Sequence, residues 1–130
     1  MQQTSNRETD LLAHRRSISA SLSDAIRELN NILGSRLVGY ILKVEDSRTL
    51  KSWIDGSSIP KNSEVTKTLR NALHIALILA DHDENDTVQA WFLGINPQLD
   101  DMPPATLLRT GDIKQAREVL IAARSYVAGG

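Results

Sequence analysis

Apolar residues recur at intervals of three and four over most of the chain, which is the spacing of one buried face of an α-helix. No segment shows the sustained alternation of apolar and polar residues that is typical of a strand. We therefore expect an all-α fold. Capping residues before the apolar stripes, and glycines after several of them, delimit predicted helices over 22–33, 36–42, 48–55, 64–80, 87–93, 104–108 and 112–126.

Two of the helix starts carry a specific prediction. Ser35 is expected to be the N-cap of the helix 36–42. At the last helix, Asp112 is expected to be the N-cap and Gln115 to bond back to it in a capping box. These residues set where each helix begins and therefore which way its apolar stripe faces.

The pattern also divides the chain into three parts. Residues 1–20 are mostly polar, with Leu11 and Leu12 as an isolated apolar pair, and we expect a flexible N-terminal arm or one loose helical turn. Residues 21–83 are predicted to form a helical module that resembles a helix-turn-helix. Residues 84–130 are predicted to form a small helical C-terminal domain.

Charge and composition narrow the classes of function. The 15 basic and 16 acidic residues give a net charge of -1, so the whole chain has no general attraction for nucleic acid or an anionic membrane. The absence of cysteine excludes disulfides and a thiol nucleophile. No apolar run approaches the roughly 20 residues that span a bilayer, and no leader precedes the helices. We expect a cytoplasmic protein without a membrane partner.

The segment LVGYILKVEDSRTLKSWI, residues 37–54, has the proportions of a helix-turn-helix. Its inward residues are predicted to be Leu50, Trp53 and Ile54. The outward residues of the second helix, which would contact phosphates and base edges, are then Ser47, Arg48, Thr49, Lys51 and Ser52. Residues 21–60 carry as many anions as cations, so DNA binding would require a dimer.

Catalytic and metal-binding motifs are not found. The pattern D-x-D-x-N at residues 81–85 copies the start of a calcium loop, but Asp86 replaces the required glycine and Phe92 replaces the final carboxylate. The three histidines are scattered, and His74 on an apolar helix is expected to be a packing residue. No phosphate-binding loop or serine nucleophile motif occurs. We expect a protein that is not an enzyme and uses no cofactor.

The segment AWFLGINPQLDDMPPATLLRTG, residues 90–111, holds two of the five aromatic residues and three of the four prolines. Trp91 and Phe92 are adjacent and so face different sides of their helix, which leaves open which of the two enters the core. The prolines restrict the angles at which neighbouring helices leave. This combination predicts a stiff interaction surface.

Two stretches, SRTLKSWIDGSSIP and AWFLGINPQLDDMPPATLLRTGD, together resemble the Xre/MbcA/ParS family of bacterial antitoxins. In that family a helix-turn-helix-like module precedes a toxin-binding domain marked by Trp, Asn-Pro-x-Leu, Pro, paired leucines and Gly. The resemblance covers residues 21–127, and Asp100, Asp101 and Met102 depart from it where the family has a glycine-containing turn. The matching positions here are Trp91, Asn96, Pro97, Leu99, Pro103 or Pro104, Leu107, Leu108 and Gly111.

The resemblance implies a type II toxin–antitoxin system in which this chain binds a RES-domain toxin, an enzyme that destroys NAD, and covers the entrance of its active site. It also implies an operator DNA partner, because family members often repress their own operon, and a homodimer or a toxin–antitoxin hetero-oligomer. The residues that would contact the toxin are Trp91, Phe92, Leu107, Leu108, Arg109, Arg124, Tyr126 and Val127.

Two alternatives stay open. The first is a stand-alone helix-turn-helix transcription regulator that binds DNA through Arg48, Thr49, Lys51 and Ser52, with the C-terminal half as a dimerisation domain. The second is an antitoxin whose toxin has been lost, which would leave the same residues in place.

Overall fold

Helices account for all of the regular structure in the computed structural model, which describes residues 8–15 and 21–129. The expected all-α class is confirmed. No helix in these ranges is both long enough and apolar enough to cross a membrane. The helices are α1 (8–15), α2 (Leu22–Leu33), α3 (Ser35–Leu42), α4 (Ser47–Asp55), α5 (Ser63–Ala80), α6 (Asn85–Leu93), α7 (Pro104–Arg109) and α8 (Ile113–Val127), with a 3₁₀ turn at Pro97–Leu99.

Side-chain caps fix where several helices begin. At each cap a side-chain oxygen accepts a hydrogen bond from a backbone N–H of the first turn, which would otherwise have no partner in the helix. The predicted helix starts are therefore close to the observed ones. The residues that cap in this way are Ser21, Asp46, Asn62 and Asp112.

Two details of the predicted caps are wrong. The N-cap of α3 is Gly34, whose φ of 85° lets the chain end α2 and begin α3 at one residue, while the Ser35 hydroxyl donates to a side chain of α2. Gln115 does not bond back to Asp112, because both residues bond to the Thr110 hydroxyl instead. The Thr110 hydroxyl accepts from the Asp112 N–H at 3.2 Å and donates to the Gln115 Oε1 at 2.8 Å.

The centre of the core is α5. Its residues 72–79 are all buried, on every side of the helix. A helix is buried all round only where other elements surround it, and here α2, α3, α6, α7 and α8 all contact α5. This central helix holds the shorter helices in fixed relative positions.

The two segments that were predicted as separate modules share one core. Ile26 and Leu69, from residues 21–83, belong to the same contiguous cluster of buried side chains as Val88, Phe92 and Val119. Five pairs of helices cross the expected boundary, since α2 contacts α6, α3 contacts α7, and α5 contacts α6, α7 and α8. The surfaces formed by α3 and α4 are therefore positioned by residues from both ends of the chain.

Part of the expected N-terminal arm is structured. Residues 8–15 form α1, a longer helix than the one loose turn expected as the alternative to a mobile arm. Ala13 is buried, and the Asp10 carboxylate is bonded to α5 and α8. Leu11 and Leu12, the apolar pair of this segment, are exposed. The rest of the predicted arm, residues 1–7 and 16–20, lies outside the described residues.

Candidate binding surfaces

A tight turn at residues 43–46 joins α3 to α4. Lys43 has a left-handed conformation with φ of 60°, and the N–H of Val44 donates to the Gly39 carbonyl at 2.8 Å. A Cβ added to Gly39 would lie 3.0 Å from the Val44 carbonyl oxygen, so the turn packs directly onto the α3 backbone. Asp46 then caps α4. The geometry is that of two short helices held close together.

The predicted inward residues of α4 do face the core. Leu50 is buried, and Trp53 and Ile54 are partly buried against the core. This leaves the opposite side of α4 at the surface.

Three of the five predicted DNA-contact residues have exposed side chains, and the other two are half-buried. Ser47, Arg48 and Lys51 are exposed. Thr49 is half-buried, and the half-buried Ser52 donates its hydroxyl to the Thr49 carbonyl at 2.8 Å and bonds to a serine hydroxyl of the following loop. The Ser52 hydroxyl is thus already hydrogen-bonded within the molecule. The exposed side chains of Ser47, Arg48 and Lys51 can reach a ligand.

Among the described residues, the Arg48 side chain is held by Asp46 alone. Its guanidinium is 3.3 Å from the Asp46 carboxylate, and the Arg48 side chain is 91% exposed. The hydrogen bonds from the side chain and the backbone N–H of Arg48 lower the pKa of Asp46. Because an exposed ion pair of this kind contributes little free energy, Arg48 can leave Asp46 for a phosphate.

A groove of about 700 Å³ lies between α3, α4 and the end of α7. Three cations line it, Arg36, Lys51 and Arg109, and Glu45 is the anion among the lining residues. We call it the cationic groove. Its floor is apolar, since it includes the Tyr40 ring together with side chains that pack between α3 and α4.

Arg109 connects the C-terminal half to this groove. Its guanidinium lies over the Tyr40 ring, 4.6 Å from the ring centroid, and its Nη1 donates to the Tyr40 carbonyl. The Tyr40 hydroxyl is 3.1 Å from the Thr106 hydroxyl, within hydrogen-bonding distance. These contacts attach α7 to α3 and hold Arg109 at the cationic groove.

A second groove, of about 570 Å³, lies on the other side of α3. We call it the apolar groove. Ser35, Arg36 and Tyr40 line both grooves, so α3 separates them. The apolar side chains that line it are Leu33, Leu37, Leu93, Pro103 and Ala105.

Exposed apolar side chains adjoin this groove. Leu93 lines the groove and is 59% exposed; Ile95, two residues later, is 74% exposed; and Met102, next to the lining residue Pro103, is 40% exposed. We call these three residues the apolar lip. All three belong to the segment that the sequence singles out by its aromatic residues and prolines, although none of them was predicted as a contact.

The question left open for Trp91 and Phe92 has a definite answer. Phe92 is fully buried in the core, whereas Trp91 is half-buried. The two rings meet edge to face at 5.4 Å, and Trp91 lies 6.3 Å from the ring of Tyr126. The Tyr126 hydroxyl donates to the Asp83 carboxylate at 2.9 Å, and this bond raises the pKa of Tyr126.

The other predicted toxin contacts do not form one surface. Leu107 and Leu108 are buried, like Phe92, so these side chains offer little or no surface to a docked partner. These three residues support the surface from inside. Val127 is half-buried against the core, and Arg109 lies apart from the pair of Trp91 and Tyr126.

Arg124 belongs to a cluster that the sequence did not reveal. Its Nη2 donates to the Asp10 carboxylate at 3.1 Å, with a second, shorter bond from Nε, and His74 Nε2 lies 3.0 Å from the same carboxylate. Burial raises the pKa of Asp10, but the bonds from Arg124 and His74 more than offset it, so the pKa is lowered. Asp10 therefore ties α1 to both α5 and α8.

His74 behaves as the expected packing residue. It is buried, and burial lowers its pKa, an effect that the hydrogen bond and charge of Asp10 only partly offset. At neutral pH the contact is therefore a hydrogen bond from a neutral ring, although its geometry would also suit an ion pair.

The incomplete calcium motif is used for packing. Asp81 accepts a hydrogen bond from the Thr9 hydroxyl at 3.0 Å, and Asp83 accepts from Tyr126. Within residues 8–15 and 21–129, no three metal-ligating side chains come together.

The candidate surfaces that sequence reasoning missed are Arg36, Tyr40 and the apolar lip. Leu93, Ile95 and Met102 carried a usable signal, because they are large apolar residues at positions that do not continue the buried stripe of a helix. Arg36 and Tyr40 carried no such signal.

Comparison of the chain with protein-family models, with curated proteins and with solved structures finds no match.

Proposed function

We propose that this chain is an antitoxin of the Xre/MbcA/ParS type that docks on a RES-domain toxin through the apolar groove and the apolar lip. The observation that carries the proposal is the lip. Three large apolar side chains project from one short segment beside a groove that is itself largely apolar. Several large apolar side chains exposed on one segment beside an apolar groove are typical of a binding surface.

The last helix has a second feature that suits a binding role. Ile113 and Ile121 are exposed on α8, and Arg117 and Arg124 are exposed at helical spacings from them. This side of α8 carries apolar and cationic groups, which would suit the entrance of an enzyme that binds an anionic dinucleotide. We propose that α8 covers the toxin's active-site entrance once the lip has docked.

The test is to look for a RES-domain protein in the adjacent reading frame and to co-express it with this chain. We expect the wild-type chain to copurify with the toxin and to restore growth, and Ile95→Asp to lose both properties. Ile59→Asp is the matched control, because Ile59 is also an exposed isoleucine, 50% accessible, in the loop before α5. Equal copurification of the Ile95→Asp and Ile59→Asp variants would contradict docking at the lip, and no complex with the wild-type chain would contradict the antitoxin function.

A second function is favoured by a different observation. Ser47, Arg48 and Lys51 are exposed together on α4, beside the cationic groove. We propose that this face binds operator DNA, either for autorepression by the antitoxin or as the sole activity of a regulator. The test is binding to the chain's own promoter, which should weaken with salt and fall with Arg48→Ala. Binding that is unaffected by both would rule it out.

A further inference from the structure

We propose that the cationic groove binds a backbone phosphate of duplex DNA and that Arg109, in the C-terminal half, supplies one of the contacts. The inference rests on the proposed DNA binding by α4 and adds a site outside that helix. It assigns Arg109 to the DNA surface, whereas the sequence grouped this residue with the toxin contacts.

The first argument is the convergence of charge. Arg36 comes from α3, Lys51 from α4 and Arg109 from α7, yet all three line one groove in a chain whose net charge is -1. Like charges brought together raise the free energy of the folded state. An anion bound between them would relieve that repulsion.

The second argument is the shortage of anions within the molecule. In the part of the chain that the structure describes, Arg36 is exposed and makes no hydrogen bond or ion pair. Lys51 has Asp55 one turn further along α4, and Glu45 also lines the groove. Arg109 has a carbonyl and an aromatic ring as partners, neither of which carries a formal charge. The groove therefore keeps a positive excess.

The third argument is the orientation of Arg109. Its guanidinium is fixed by the Tyr40 carbonyl on one nitrogen and by the Tyr40 ring on one face. The remaining N–H groups are left for an acceptor, and the planar fork of arginine matches a phosphate oxygen pair. Fixing the side chain in advance reduces the entropy lost when a ligand binds.

Continuity with α4 favours a nucleic-acid phosphate over a protein carboxylate. Ser47 and Lys51 line the groove and also belong to the exposed face that is proposed to contact DNA. A DNA backbone that passes α4 would lie along the same side of the molecule. Phosphate contacts hold a protein in register on the duplex without reading its sequence.

The experiment measures duplex binding by the full chain with fluorescence anisotropy at several salt concentrations. One duplex carries the chain's own promoter and the other is an unrelated sequence of equal length. We expect Arg109→Gln and Arg36→Gln each to weaken binding to both duplexes by a similar factor, roughly 3- to 10-fold. Each should also reduce the slope of log K against log salt by about 0.9, the value of one phosphate contact.

Two of the variants distinguish the loss of a DNA contact from damage to the fold. Arg36→Gln removes an exposed side chain that has no partner in the described part of the chain, so its effect cannot come from misfolding. Arg109→Lys keeps the charge at the Tyr40 site. Lys114→Gln, at an exposed cation near the start of α8, is the matched control and should leave both affinity and slope unchanged.

The outcomes distinguish the two levels of the proposal. If the wild-type chain binds the promoter but the slope is unchanged in both Arg36→Gln and Arg109→Gln, the phosphate site is wrong and DNA binding by α4 stands. If the wild-type chain binds no duplex at low salt, both are wrong. Binding of a polyglutamate probe as tightly as DNA would replace the phosphate with an acidic protein partner.

Discussion

Asp10 is a single carboxylate that joins three helices, because it lies in α1 and accepts hydrogen bonds from His74 of α5 and from Arg124 of α8. Replacing it with asparagine keeps the shape but removes the charge. We expect Asp10→Asn to lower the free energy of unfolding by about 1.5–3 kcal/mol, the range for hydrogen bonds to charged groups. Urea unfolding measures this loss.

The matched control for that variant is Asp100→Asn. Asp100 is exposed and has φ of 54°, a conformation that asparagine tolerates well. It should leave the free energy of unfolding nearly unchanged. An equal loss from both substitutions would mean that Asp10 contributes nothing through its bonds to His74 and Arg124.

The same cluster predicts how stability depends on pH. The pKa of His74 is lowered in the folded state, so acidification below about 6.5 adds a proton to the unfolded chain first and favours unfolding. The pKa of Asp10 is also lowered, so its stabilising contribution is present above about pH 3.9 and is lost at more acidic pH. Both groups thus make the folded state weaker in acid.

We therefore expect the free energy of unfolding to fall between pH 7 and pH 5 in the wild-type chain, measured by urea unfolding at fixed ionic strength. His74→Gln should flatten this part of the curve, because glutamine does not titrate. A wild-type curve that is already flat in this range would show that the pKa of His74 is not lowered by burial.

Trp91 and Phe92 differ sharply in their packing although they are neighbours. Phe92→Ala leaves a cavity in the core, and we expect it to cost about 3–5 kcal/mol. Trp91→Ala removes a half-buried ring and should cost clearly less. Thermal and urea unfolding of both variants compare them, and equal losses would mean that the two rings are buried alike.

At the scale of elements, the pairing of α3 with α4 depends on Gly39. A Cβ at this position would lie 3.0 Å from the Val44 carbonyl, a backbone atom that cannot turn away as a flexible side chain can. We expect Gly39→Ala to lower the free energy of unfolding by about 1–3 kcal/mol. It should also reduce DNA binding, because the α4 face would shift relative to the cationic groove.

Gly111→Ala is the control for that variant. Gly111 has φ of 77°, so alanine is strained there, but no atom lies near the added Cβ. It should lose stability without losing DNA affinity. A Gly39→Ala chain as stable as the wild type would show that the turn can relax away from α3.

Helix bounds could be predicted well because their causes are local. Ser21, Asn62 and Asp112 cap helices whose apolar stripes begin directly after them. The errors came from competition between neighbours, as where Gly34 took the role expected of Ser35. Helix α1 could be predicted only as one loose turn, because its leucines face outward and its anchor is the polar residue Asp10, so no apolar stripe marks it.

At the scale of the whole molecule, the shared core predicts cooperative unfolding. Side chains from both halves bury one another, so neither half keeps its core alone. We expect one urea transition for the full chain, and a fragment of residues 21–83 that shows no cooperative transition. A fragment with native-like dispersed NMR signals would establish that the first module folds independently.

The binding surfaces were less predictable than the helices because they depend on contacts between distant parts of the chain. The exposure of Arg48 and Lys51 follows from the helical phase of α4 and could be predicted. The place of Arg109 could not, because it is set by Tyr40, which lies 69 positions earlier in the sequence. The burial of Leu107 and Leu108 likewise depends on where α7 packs.

The positions of the two tryptophans give the molecule built-in optical probes. Trp53 lies in α4, which forms a wall of the cationic groove, and Trp91 lies in α6, which contributes Leu93 to the apolar groove. Trp53→Phe and Trp91→Phe chains would each emit from one known place. A titration that changes the emission of one and leaves the other constant would tell, without any label, on which side of α3 a ligand has arrived.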